Sequence, residues 1–259
     1  MTYVLSLCDR TGNMVRPWLE AGVRCITVDL QTAASEHPLR THLVRDVSRW
    51  EPGALPAVVF AFPPCTHLAS SGARWFREKG MGALIGALQL VEACRKICED
   101  SGAPYMIENP VGTLATYWRD PDYTFHPVHY AGYSPTPEAD EYTKKTCLWT
   151  GGGFVMPDRK PGEPTLGSMM HRLPPSADRA DIRSATPLGF AYAVFEANKH
   201  LVLEHAMSDA FSHAQAVARR KADPPVESEA QAIQREQREA EAREAALDIS
   251  EMLKAQGKR

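Results

Sequence analysis

Short apolar runs alternate with amphipathic stretches over the first 110 positions. Tyr3-Val4-Leu5-Ser6-Leu7-Cys8, Arg24-Cys25-Ile26-Thr27-Val28-Asp29, Val58-Val59-Phe60 with Phe62, and Ala103-Pro104-Tyr105-Met106-Ile107 are too continuously apolar for half-exposed strands and predict strands covered on both faces. Val44-Arg45-Asp46-Val47 closes a further short apolar segment. Between the runs, Met14 to Ala21 has helical spacing, and Met81 to Glu99 places Leu84, Leu88, Val91, Cys94 and Cys98 three and four apart, the pattern of an amphipathic crossover helix. Strands alternating with helices predict an α/β domain with a parallel sheet. Such a sheet gathers the carboxyl ends of its strands on one edge, and ligands bind outside that edge.

What stands at those ends therefore matters. The run ending at Phe62 stops at Pro63-Pro64, which cannot extend a ladder, and delivers Cys65. The run ending at Ile107 delivers Glu108-Asn109-Pro110. A thiol at one strand exit and a carboxyl at the next can meet over one substrate, the thiol placed as a nucleophile. The plain alternative for Cys65 is a buried cysteine packing as a small hydrophobe. The first run leads into Asp9-Arg10-Thr11-Gly12-Asn13 and a helix, the arrangement that presents backbone N–H groups to a cofactor. Asp29 ends the second run about 20 positions later, the separation of a carboxylate that binds ribose hydroxyls, although it can equally cap the next segment. Asp46 has the same two readings, an adenine contact or a turn residue.

The later chain is more broken. Ser70 to Gly80 reads as a mobile loop over the site, Trp118 to Tyr142 as an ordered loop, and Lys144 to Trp149 as a short strand opening with two cations. Gly151 to Asp181 is rich in proline and glycine. Arg183 to Pro187 predicts a helix start with Thr186 as N-cap and Pro187 in the first helical position, continuing through Phe190, Val194, Phe195, Leu201 and Val202. After Asp223-Pro224-Pro225, Ser228 to Lys258 is dominated by Glu, Gln, Arg, Lys and Ala, which predicts a polar helix without a coiled-coil seam.

Composition narrows the picture. With 259 residues, 44% of them hydrophobic, the chain suits one catalytic domain (1–220) and an appendage (221–259). No stretch approaches the roughly 18 apolar residues of a membrane span, and no basic region precedes the short apolar run at Tyr3, so a cytoplasmic protein is expected. Six cysteines without a CxxC pair favour reduced thiols and no metal site; Cys94 and Cys98 suit helix packing. A formal net charge of -3 argues against a large non-specific nucleic-acid footprint while leaving room for local basic patches.

Taken in order, Leu7-Cys8-Asp9-Arg10-Thr11-Gly12, Asp29, Pro63-Pro64-Cys65-Thr66-His67-Leu68, Ser71-Gly72-Ala73-Arg74-Trp75-Phe76, Glu108-Asn109-Pro110, Tyr142-Thr143-Lys144-Lys145-Thr146 and the late Arg183-Ser184-Ala185-Thr186-Pro187 resemble the DNA cytosine-5 methyltransferases, closest to the compact versions common in bacteriophages. The resemblance covers about residues 3 to 205. It implies a Rossmann-like, S-adenosylmethionine-dependent methyltransferase fold, with Cys65 as nucleophile and Glu108 gripping the cytosine. It implies cofactor contacts from Leu7, Asp9, Thr11, Gly12, Asp29, Asp46 and Pro63. Substrate contacts would come from Pro64, Thr66, Arg74, Lys79, Asn109, Lys144 and Lys145. DNA, duplex or single-stranded, is the implied partner, and a monomer the expected state, in the cytoplasm of a bacterial host if the gene is phage-borne.

Three departures stand out. The family's FxGxGG turn keeps only its last glycine here, as Gly12. The QxRxR segment keeps cations, Lys144 and Lys145, but loses bidentate arginines. Only about 40 residues separate Thr146 from Pro187 (a short insert over 146–186), so the target-recognition region is reduced and a very short sequence context is expected. Modification of a free deoxycytidine nucleotide and an inactive cofactor-binding relative are the competing readings.

Overall fold

The computed structural model describes residues 2–168 and 179–203. The chain divides into two compact units, Met1–Asp209 and Ala210–Arg259. The expected charged helical tail lies outside the described residues. The first unit is α/β, built on a mostly parallel seven-stranded sheet.

Its strands are β1 (Val4–Leu7), β2 (Cys25–Asp29), β3 (Arg40–Val44), β4 (Val58–Ala61), β5 (Tyr105–Pro110), β6 (Tyr123–Phe125) and β7 (Thr146–Gly151). They lie in the order β3-β2-β1-β4-β5-β7-β6. The first five are parallel, whereas β7 runs antiparallel to both β5 and β6. Without β7 the order is 3-2-1-4-5-6, the doubly wound arrangement whose direction of winding reverses between β1 and β4.

The strand pleat divides the core into two layers. Val4, Val58, Phe60, Met106 and Leu148 face one cluster with Trp18 of helix α1 (Arg16–Glu20) and with Phe190, Val194 and Val202 of the helix over 188–203. Leu5, Leu7, Val59, Ala61 and Ile107 face the other, covered by Val91, Cys94, Ile97 and Cys98 of helix α2 (Phe76–Asp100). The two α2 cysteines therefore do what their spacing predicts, and among the described residues no group of His, Cys, Asp and Glu is arranged to hold a metal. No helix of the described residues is long and apolar enough to cross a membrane.

Three expectations are corrected. Ser70 to Gly80 is helical rather than a loop: a 3-10 turn over Ser70–Trp75 leads into α2, which bends at Gly80, where φ is 75°. Glycine there marks the kink, and the flanking residues are ordinary helix formers. Trp118 to Tyr142 contains a strand, β6, too short at three residues to register as a pattern, together with a 3-10 segment over Pro127–Tyr133. Finally, the helix over 188–203 is capped from afar: Gly189 N donates to Asp140 Oδ2 at 2.6 Å, while Ala191 N makes the first ordinary helical bond, to the Pro187 carbonyl at 3.1 Å. A buried carboxylate at a helix N-terminus meets both its free N–H groups and its dipole, so the Thr186 cap is replaced.

Candidate active site

Register fixes what stands on the carboxyl edge. Leu7 pairs with Val28 and Ala61, and Ala61 with Ile107, so Cys8, Asp29, Phe62 and Glu108 sit at one level just beyond them. Because β7 is antiparallel and Thr146 opposes Pro110, Lys144 and Lys145 enter from this same edge.

The turn after β1 is closed on itself. Cys8 adopts φ 54°, rare for a non-glycine residue, and its N–H donates to the Val28 carbonyl at 2.7 Å. The buried Asp9 carboxylate accepts from Gly12 N at 2.7 Å, Ser6 Oγ at 2.8 Å and Thr11 Oγ1 at 3.0 Å. Arg40 of β3 donates to Thr27 Oγ1 and to the Arg10 carbonyl, both at 3.0 Å. Its guanidinium lies so close under Gly12, where φ is 71°, that a Cβ there would come within 2.4 Å. Burial lowers the Arg40 pKa, and the Asp9 carboxylate opposes the shift.

Among the predicted cofactor residues, Asp29 is half-buried and accepts from Gln31 N at 2.8 Å. Asp46 caps the 3-10 turn Val47–Arg49, accepting from Ser48 Oγ at 2.7 Å and Ser48 N at 2.9 Å; these bonds hold its carboxyl below the usual range. Leu7 is wholly buried, and its carbonyl accepts from Phe62 N at 2.9 Å.

The Cys65 segment is bound to its neighbours through the backbone. The Cys65 carbonyl accepts from Leu68 N and Ala69 N, both at 2.9 Å, and the Thr66 carbonyl from Lys79 Nζ at 2.7 Å. Asn109 Nδ2 donates to the Pro63 carbonyl at 2.7 Å, tying the cysteine loop to the strand that carries Glu108. Gly112 passes against the Leu68 carbonyl so closely that a Cβ would stand 2.1 Å from it, and Thr113 N donates to that carbonyl at 2.9 Å.

Cys65 is partly exposed. Burial and the Glu108 carboxylate push its thiol up, while Lys144 and Arg183 pull it down. Burial likewise raises Glu108, again opposed by Lys144. Glu108 Oε1, Asn109 Oδ1 and His67 Nδ1 are buried without a hydrogen-bond partner. Such orphaned groups are rare because each costs about 1–3 kcal/mol.

The edge thus brings together Cys65, Glu108, Asn109 and Lys144, whose Nζ donates to the Arg183 carbonyl at 2.9 Å. Pro64 and Thr66 are exposed on the cysteine loop, and Pro63 is buried. Lys79 is spent on the Thr66 carbonyl, while Arg74 stands over the Trp75 ring at 4.9 Å. Sequence reasoning missed Arg40, whose partners are remote, and His67, which lies two residues after Cys65. It also missed Tyr142 as a site residue; burial, Asp140 and Glu108 push its phenol up. A cavity of about 240 Å³ is lined by Asn13, Asp140, Tyr142, Thr186 and Leu188. The larger one, about 520 Å³, touches Tyr3, Arg24 and Trp50 at the strand starts, opposite Cys65. No protein-family model matches the chain, and no curated protein matches it.

Proposed function

We propose that the protein transfers a methyl group from S-adenosylmethionine to carbon 5 of cytosine in DNA through a covalent Cys65 adduct. The observation that carries this is the pairing of Cys65, beyond β4, with Glu108, near the carboxyl end of the neighbouring β5, whose Oε1 is buried without a partner.

The two acids raise one another's cost of ionisation, so a single negative charge on the pair is favoured. A neutral Glu108 is the form that donates a hydrogen bond to ring nitrogen 3. Its neutralisation removes the carboxylate that holds the Cys65 thiol protonated. Cys65 then adds to carbon 6, making carbon 5 nucleophilic; after methylation a base takes the carbon 5 proton and the carbon–sulfur bond breaks. Lys144 favours the anionic forms of both residues.

The residues after β1 and β2 suit S-adenosylmethionine: the turn after β1 borders the point where the sheet's winding reverses, and Asp29 ends the neighbouring β2 at the same level. Bound there, it would supply an electrophilic methyl group. Asp46, engaged in its own turn, is the weaker candidate, for an adenine contact.

DNA containing 5-fluorocytosine tests the reading, because fluorine cannot leave carbon 5 as a proton does. A covalent complex that requires Cys65 supports it, and trapping that survives Cys65→Ser places the nucleophile elsewhere. Labelled-methyl transfer to duplex DNA, single-stranded DNA and dCMP in parallel separates the polymer from the free nucleotide.

A further inference from the structure

At the carboxyl edge of the sheet, Asp9, Asp29 and Asp46 stand at the β1–β3 end together with Arg10, Arg40 and Arg45, whereas Lys144 and Lys145 stand where β7 enters. Phe125 pairs with Thr146, so the next residues out, His126 and Lys145, leave β6 and β7 side by side. His129 packs its ring against His126 with centroids 5.2 Å apart, and its Nδ1 accepts from His126 N at 3.3 Å. That bond leaves Nε2 of His129 as a donor to its surroundings.

The segment around Arg159 is held against the same turn. Lys160 N donates to the His129 carbonyl at 3.0 Å, and Gly132 N to the Lys160 carbonyl at 2.9 Å. Arg159 acts electrostatically on both histidines, and Lys145 on His126. Lys160 Nζ stands 5.5 Å from the Tyr133 ring centroid.

Several cations elsewhere have acids, Arg16–Glu20, Arg95 with Glu92 and Glu99, Lys96–Asp100, Arg119–Asp122 and Lys199–Glu196, and others are taken up by neutral groups: Arg40 by a hydroxyl and carbonyls, Lys79 and Lys144 by carbonyls, Arg74 by the Trp75 ring. Among the described residues, no ion pair engages Lys145, Arg159 or Lys160. The acid beside them in sequence is Asp158. Lys145, Arg159, His126 and His129 come from three segments of the chain, and no ion pair links them to a carboxylate among the described residues, on a chain whose net charge is -3. Burial and the neighbouring cations hold both imidazoles below their usual pKa, so the histidines are neutral groups beside two like charges, Lys145 and Arg159, whose repulsion a bound anion would relieve.

We propose that Lys145, Arg159, His126 and His129 form a phosphodiester-binding subsite that holds the nucleic-acid backbone next to the Cys65–Glu108 pair. The inference rests on the reading of the substrate as DNA and adds a place on the protein where its backbone is held. Each exposed cation that neutralises a duplex phosphate contributes about 0.9 to the slope of log affinity against log salt.

The test is a salt titration of labelled duplex binding by fluorescence anisotropy, using the full chain. The double variant Lys145→Gln/Arg159→Gln is expected to lower the slope by roughly 2, the sum of two contacts. Lys145→Arg/Arg159→Lys, which keeps both charges, is expected to restore it. An unchanged slope in the Gln variant, or a wild-type protein that does not bind duplex at all, overturns the subsite. The outcomes separate the two readings. Methyl transfer to DNA with an unchanged slope sinks the subsite alone. A charge-dependent slope without fluorocytosine trapping sinks the chemistry and leaves the subsite standing.

Discussion

Two turns at the same sheet edge are built in opposite ways. After β1, polar groups are consumed internally: Asp9 takes three donors, and Arg40 takes the Arg10 carbonyl and the Thr27 hydroxyl. After β4 and β5, the backbone is equally well tied down, but side-chain atoms of His67, Glu108 and Asn109 are left buried and unpartnered. In the first turn the buried carboxylate is fully engaged within the chain, whereas at the second a buried carboxyl oxygen, an amide oxygen and an imidazole nitrogen are left over. A buried polar atom without a partner is a standing cost, so a rigid frame around such atoms identifies where a ligand recovers it.

The sharpest way to break this comparison is at Cys65, the proposed nucleophile. Cys65→Ser should abolish covalent trapping of 5-fluorocytosine DNA, read on a denaturing gel. Glu108→Gln should reduce turnover by about 10²-fold or more, the scale of losing one preorganised stabiliser. The same variant removes the carboxylate that raises the thiol, so alkylation of Cys65 by iodoacetamide should become faster at a fixed pH below thiol ionisation. Slower alkylation would show that Glu108 does not control the cysteine.

Asp29→Ala should weaken S-adenosylmethionine binding by about 1.5–3 kcal/mol, measured by calorimetry. An unchanged affinity would leave Asp29 only its bond to Gln31 N. Asn109→Ala strands the Pro63 carbonyl and should lower unfolding stability by about 1–3 kcal/mol in a denaturant titration. The smallest expected effect is a pH shift. Lys144 pulls the Cys65 thiol down, so Lys144→Met should move the alkaline rise in Cys65 alkylation to higher pH, because the thiolate loses a stabilising cation.

Sequence alone was enough to determine the parallel core and to set Cys65 beyond β4, but Glu108-Asn109-Pro110, expected just past a strand end, lie inside β5, which runs on to Pro110 because β7 pairs with it. Apolar run, proline stop and helical spacing are local signals, read over a few residues, and Cys94 and Cys98 declared their packing role in the same way. The fate of polar side chains was decided only by the tertiary structure. Asn109 meets the Pro63 carbonyl 46 residues away, Gly189 meets Asp140 across 49, and Arg40 reaches the Arg10 carbonyl across 30. β7 enters antiparallel between β5 and β6, which delivers Lys144 to the edge holding Glu108. A hydrogen bond depends on angstrom-scale approach between chain segments, and no periodicity in the chain encodes it. Hence Asp9 and Asp46, which as residue types suit a cofactor, are occupied within their own turns, while Glu108 stands with an oxygen unclaimed.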